Sequence, residues 1–196
     1  MVRFAALFAL APMLTASVGY SQVILRVQVW NYGGVSSEVL LRAEAEVNAI
    51  YGSVGVRLEW LSCDPSGPRA MECRDILEPR DLVLRVLSNS PRKGEFRVLG
   101  RAMGNTIADV YASEVDRIAK IQNLERFYVY GGAIGHEFGH LLLGQRAHSG
   151  SGLMSPKWGS ADFSAASKRW LSFDARQAER IRSAVKERLI AGEKAP

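Results

Sequence analysis

The chain contains three histidines, and all of them, His136, His140 and His148, fall within thirteen residues. The first two lie in an apolar segment, residues 124–143, whose periodicity predicts a helix. Gly131, Gly132 and Gly135 lower its intrinsic propensity, and a glycine-lined face predicts that another segment's backbone packs close against it. Residues four apart stand one turn apart on the same helix face, so His136 and His140 can bind one zinc ion at ~2.0–2.1 Å each. Glu137, beside the first histidine, can accept a proton from a metal-bound water, which is the chemical logic of His-Glu-x-x-His. The flanking Ile134, Phe138, Leu141, Leu142 and Leu143 make this a buried helix, whose polar residues need partners. Gly144 can take the left-handed conformation that ends a helix and turn the chain so that His148 returns toward the same point.

The remaining sequence must supply the elements that bury this helix. Residues 23–30 and 56–61 read as strands, with a helix from Ser36 or Ser37 to about Tyr51 between them. Residues 81–87 form a third strand, and residues 96–103 and 106–112 read as short strands around Gly104-Asn105. Residues 114–123 fit a loop or a helix equally. Residues 144–168 read as a loop, and Asp174 caps a final helix to about Ile190. The order is that of an α+β domain with one mixed sheet.

Of 196 residues, 47% are hydrophobic and 23% charged, which excludes disorder over most of the chain. The net charge of +5 is scattered, with no dense basic block, so nucleic acid is not an expected partner. The amino-terminal segment reads as a separate object. Arg3 precedes an apolar run over residues 4–18, interrupted by Pro12 and Thr15, and the small residues Ser17, Gly19 and Ser21 follow. This pattern predicts a signal peptide, residues 1–21, removed from a single domain over residues 22–196. A retained anchor is the alternative, although the run falls short of the ~20 residues needed to span a bilayer. Export, to the periplasm or the exterior, gives Cys63 and Cys73 a meaning. They bracket a turn-rich loop, and a disulfide closing it would contribute about 2–3 kcal/mol. Metal-binding or latency-controlling thiols are the other reading. In the final helix Arg176, Arg180, Arg182, Lys186 and Arg188 alternate with Ala178, Ile181, Val185 and Leu189, a solvated face over an apolar stripe.

Residues 135–156 resemble the metzincin clan of zinc endopeptidases, of matrixin and adamalysin type. Their pattern is His-Glu-x-x-His-x-x-Gly-x-x-His followed by a methionine-containing turn, and here His-Ser-Gly-Ser-Gly-Leu-Met-Ser-Pro runs from His148. The resemblance implies a metzincin-like fold with an active-site helix and a carboxy-terminal helix. It assigns His136, His140 and His148 as zinc ligands, Glu137 as general base and Met154 as the turn residue. It implies endopeptidase chemistry on a protein or peptide substrate, through a zinc-bound water and the glutamate. The substrate would lie antiparallel to an edge strand, with residues 96–103 the candidate, and Trp158 beside the scissile bond. The sequence departs from the pattern: Gly144 comes four residues after the second histidine and His148 eight after it, where the clan has three and six. Glu179, or less well Asp162, is the competing third ligand, which would make the site gluzincin-like. A catalytically silent zinc-binding or adhesion module on the same scaffold, and a non-peptidase hydrolase, remain as other readings. No tyrosine follows Tyr130, so a tyrosine fifth ligand has no candidate after the turn, and no acidic loop marks a calcium site.

Overall fold

The computed structural model describes residues 23–63, 72–74, 77–91 and 98–193, so the segment read as a signal peptide lies outside the described residues. Five strands, β1 (Val23–Asn31), β2 (Val56–Ser62), β3 (Asp81–Leu87), β4 (Gly100–Met103) and β5 (Ile107–Tyr111), form one sheet in the order β2-β1-β3-β5-β4. Pairing is parallel throughout except between β4 and β5, which are antiparallel, and β4 ends the row. Five helices accompany it: α1 (Ser37–Gly52), α2 (Ala112–Gln122), α3 (Arg126–Leu143), α4 (Ser160–Ser167) and α5 (Ala175–Glu193). A short 3-10 turn covers Glu72–Arg74. The α+β plan with a mixed sheet therefore holds.

Alternation along the strands sorts the two sheet faces. Leu25, Val27 and Val29 of β1, with Leu82, Leu84 and Val86 of β3, point into the main core. The intervening positions carry ion pairs instead. Arg26 grips Asp81 through two hydrogen bonds of 2.8 and 2.7 Å, and Arg85 grips Asp109 at 2.7 and 3.0 Å. These bidentate contacts satisfy two carboxylates that are almost wholly buried. On this second face Leu61, Trp30 and the disulfide-bonded Cys63 and Cys73 make a satellite cluster. The two cysteines are thus a covalent staple.

Helix α3 lies at the centre and touches α1, α2, α4, α5, β4 and β5. Its glycines explain how so many neighbours fit. A Cβ on Gly131 would stand 2.7 Å from the Cβ of Glu46 and 3.3 Å from the Ala43 carbonyl, so α1 passes close there. At Gly132 the space belongs to the Trp158 ring, and at Gly139 to the Met154 sulfur. The close neighbour is thus a backbone only at Gly131, and a side chain at the other two.

Several local expectations are corrected. Residues 112–122 are helical, because the exposed and buried positions of α2 segregate onto two faces. The segment read as a loop contains α4, which starts where the Asp162 carboxylate accepts the Gly159 N–H at 2.9 Å. Strand β4 is shorter than residues 96–103: residues 98 and 99 are not strand, and residues 92–97 lie outside the described set. Ser36 stands at the N-cap of α1 without a side-chain cap hydrogen bond. Asp174 does cap α5, exchanging hydrogen bonds of 2.8 and 3.0 Å with Gln177. The basic residues of α5 are more than a solvated face. Arg180 donates to the Leu143 carbonyl at 2.7 Å and Arg188 to the Leu141 carbonyl at 3.5 Å, satisfying acceptors left open at the end of α3.

Candidate metal centre

Helix α3 presents His136 and His140 one turn apart, and the chain then reverses at Gly144, whose φ is +94°. That conformation suits glycine, and it carries the chain back through Ala147 to His148. The Nε2 atom of His140 ends 3.1 Å from that of His136 and 3.1 Å from that of His148. The additional residues between His140 and His148 are taken up in this turn, so the longer spacing does not keep the third histidine away.

The other ring nitrogens decide what these contacts are. His136 Nδ1 lies 2.7 Å from the Leu153 carbonyl, and His140 Nδ1 lies 3.3 Å from the Gly144 carbonyl. A carbonyl only accepts, so each Nδ1 carries the proton and each Nε2 is left with a bare lone pair. Two such lone pairs facing each other repel, and a cation between them removes the conflict. Tetrahedral ligation at ~2.0–2.1 Å requires nitrogen separations of roughly 3.3–3.4 Å; the two separations from His140 come close to this, and all three ligand atoms lie within 4.8 Å of one another. Burial pushes His136 down to about 4, with the neighbouring histidines adding to the effect and the Leu153 hydrogen bond opposing it. Burial lowers His140 as well. Both rings are therefore neutral at ordinary pH, the form that binds a metal. Among the described residues these three histidines are the one group of potential ligands close enough to share an ion. Glu179 is exposed on α5 and Asp162 is engaged at the start of α4, so neither competing acidic ligand joins them.

Met154 is fully buried and its sulfur packs on Gly139, the residue before His140 on α3. The turn above it is closed by the Ser149 N–H donating to the Met154 carbonyl at 2.9 Å. Glu137 faces the sheet rather than the histidines' far side. Its carboxyl stands against Gly100 so closely that a Cβ there would lie 2.7 Å from Glu137 Cγ. Burial raises it to about 8, while a hydrogen bond with the Ala102 backbone pulls it down.

Strand β4 forms the upper rim. The Tyr111 N–H donates to the Leu99 carbonyl at 2.9 Å, and with the observed register this makes Gly100–Val110 and Ala102–Ala108 wide pairs. The backbone groups of Gly100 and Ala102 therefore point away from β5, on the side of β4 that no other strand pairs among the described residues. Gln145 reaches this edge and its amide donates to the Ala102 carbonyl at 3.4 Å. Between this rim and Ser155–Trp158 runs a cleft of about 520 Å³ that contains all three histidines and Glu137. Ala133, Ile118, Trp158 and Phe163 give it apolar walls, and the Glu114–Arg117 ion pair borders it. Glu114, Arg117, Ile118 and Phe163 escaped the sequence reading, because α2 was ambiguous and α4 unrecognised. The Gly159-x-x-Asp162 spacing before an alanine-rich run was the available signal for α4.

A five-stranded mixed sheet with an antiparallel edge strand over a histidine-bearing helix defines a metzincin-like zincin fold. No family model matches the chain, and no curated protein matches it. Among solved structures 49 chains match. One is archaemetzincin from Methanopyrus kandleri, with a TM-score of 0.55 at 18% identity, covering 86% of this chain and 99% of that one. At such identity the likeness carries the fold. The narrower matrixin and adamalysin resemblance rests on residues 135–156.

Proposed function

We propose that the protein is a zinc-dependent peptidase, with His136, His140 and His148 as ligands and Glu137 as general base. The observation that carries this reading is the convergence of three histidine ring nitrogens, all within 4.8 Å of one another, in a cleft rimmed by the strand that ends the sheet among the described residues. When bound, zinc supplies a Lewis acid that polarises an amide carbonyl and acidifies water.

The chain's own groups divide the remaining work. The outward backbone groups of Gly100 offer an extended peptide the hydrogen bonds of an added strand, while those of Ala102 are engaged by Glu137 and Gln145. The Glu137 carboxyl, held by the Ala102 backbone and enclosed by the cleft, sits where it can take a proton from the attacking water and return it to the leaving amine. Its burial favours the protonated form, which suits the second half of that cycle. The apolar walls at Ala133, Trp158 and Phe163 accept a side chain next to the scissile bond. An internal peptide lying along β4 would be cut as an endopeptidase substrate.

The Cys63–Cys73 disulfide and the apolar leader together support an exported protein. Among the described residues no helix is long and apolar enough to cross a membrane.

The test is zinc content and peptide hydrolysis of purified protein beside Glu137→Gln. The variant should hold the same zinc and lose hydrolysis by a factor of about 100 or more, the contribution of a positioned general base. Undiminished hydrolysis in the variant would overturn the role of Glu137, and a wild type without zinc would overturn the reading as a whole.

A further inference from the structure

The Leu153 carbonyl serves two donors. His136 Nδ1 approaches it at 2.7 Å and the Trp158 indole Nε1–H at 3.2 Å. A carbonyl oxygen has two lone pairs, so both are committed, one to a ligand ring and one to a wall of the cleft. Leu153 itself sits in a tight reversal. Gly152 before it has a φ of +77°, and the Leu153 N–H is tied to the Ser172 carbonyl at 3.2 Å.

The indole has little freedom to move. One side of its ring fills the notch left by Gly132 on α3, where no Cβ would fit. Phe163 of α4 packs edge-on against it, with centroids 5.7 Å apart. Its approach along the chain is set by the Ser155 hydroxyl, which donates to the Lys157 carbonyl at 3.1 Å. The ring centroid lies 6.2 Å from that of His136, in an edge-on arrangement. The indole N–H is thus aimed at the acceptor that also meets the first histidine.

We propose that Trp158 is a positioning residue for the metal ligand His136, acting through the shared Leu153 carbonyl. The indole N–H holds the carbonyl in the direction His136 Nδ1 needs, which fixes both the tautomer and the ring plane of that ligand. The same ring is a wall of the cleft, so a substrate side chain seated against Trp158 meets a group two hydrogen bonds removed from His136, through the shared carbonyl. Side-chain selection and ligand orientation are joined in one residue. This inference rests on the zinc reading above.

The deciding variant keeps the shape and removes the donor. 3-Benzothienylalanine in place of Trp158 substitutes sulfur for the N–H, and Trp158→Phe provides a genetically encoded counterpart. Phe163→Leu, which loosens the wall but leaves the N–H in place, is the packing control. Zinc dissociation constants are measured by competition with a chromophoric chelator, and the visible absorption of the cobalt(II)-loaded protein reports the ligand geometry. Groups that orient a ligand from outside the coordination shell are worth about 10–100-fold in metal affinity. Both Trp158 replacements should therefore weaken zinc by about 10-fold or more and shift the cobalt bands, while Phe163→Leu, which keeps the N–H, should do both to a clearly smaller extent. Zinc affinity of the benzothienyl protein within about twofold of wild type would overturn the proposal, as would equal weakening by Phe163→Leu. A wild type that takes up neither metal overturns the zinc reading itself, a distinct result.

Discussion

The sulfur of Met154 occupies the place where any residue larger than glycine at position 139 would put its Cβ. The two residues are fifteen apart in sequence, and their contact locks the turn carrying His148 and Leu153 under the helix carrying His136 and His140. The two segments that carry the histidine cluster are therefore joined by a helix–turn contact that needs a side chain on one partner and none on the other.

Gly139→Ala tests that contact. Overpacking a fully buried site costs typically about 1–3 kcal/mol, so the variant should unfold at lower temperature. Because the displaced group supports the ligand-bearing turn, its zinc affinity should fall too. Thermal unfolding of chelated and zinc-loaded samples measures both, and the loss should be larger in the loaded pair.

His148 is exposed and follows the additional residues of the turn, yet its Nε2 lies as close to His140 as that of His136 does. His148→Ala should weaken zinc by more than the about 100-fold upper range for groups outside the coordination shell. Chelator competition would reveal this directly. Full retention would move the third ligand elsewhere.

Metal-free protein should show a two-sided pH profile. The folded His136 lies near 4, below its ordinary 6.5, so its contribution is complete above 6.5 and is lost as pH falls toward 4. The folded Glu137 lies near 8, above 4.5, so its contribution is complete below 4.5 and is lost as pH rises toward 8. Glu44, raised to about 7 by burial, acts in the same sense as Glu137. Melting temperature in the presence of chelator should peak in the weakly acidic range, and Glu137→Gln should lessen the decline on the alkaline side.

The disulfide lies with Leu61 and Trp30 in the satellite cluster, separate from the main core that contains α3. Replacing both cysteines by serine should cost about 2–3 kcal/mol of stability, the closure entropy of the loop. Zinc affinity should stay unchanged, a combination that denaturant unfolding and chelator competition together would establish.

Much of this protein is legible along the chain because the deciding interactions are local. Partial alternation in residues 23–30 and the short buried apolar run of residues 81–87 mark strands whose bounds the structure reproduces to within a residue, and one helical turn is enough to pair His136 with His140. The site was less legible where its walls come from elements with weak signals. Short α4 has only the Gly159–Asp162 start to announce it, and α2 mixes charged and apolar residues without a strong cap. Nothing local says that Gly132 faces an indole, that Gln145 reaches the edge of β4, or that Arg180 and Arg188 close the end of α3.

The sequence by itself determined the pairing of His136 with His140, the carboxylate beside them and the cysteine pair of the disulfide, since residue identity and spacing of a few positions define them. Only the tertiary structure decided that His148 completes the cluster in preference to Glu179. It also decided that Glu137 is enclosed against Gly100, and that one carbonyl serves both His136 and Trp158. Those outcomes depend on how α3, β4 and the turn at Met154 pack together, and packing joins residues whose separation along the chain carries no record of their contact.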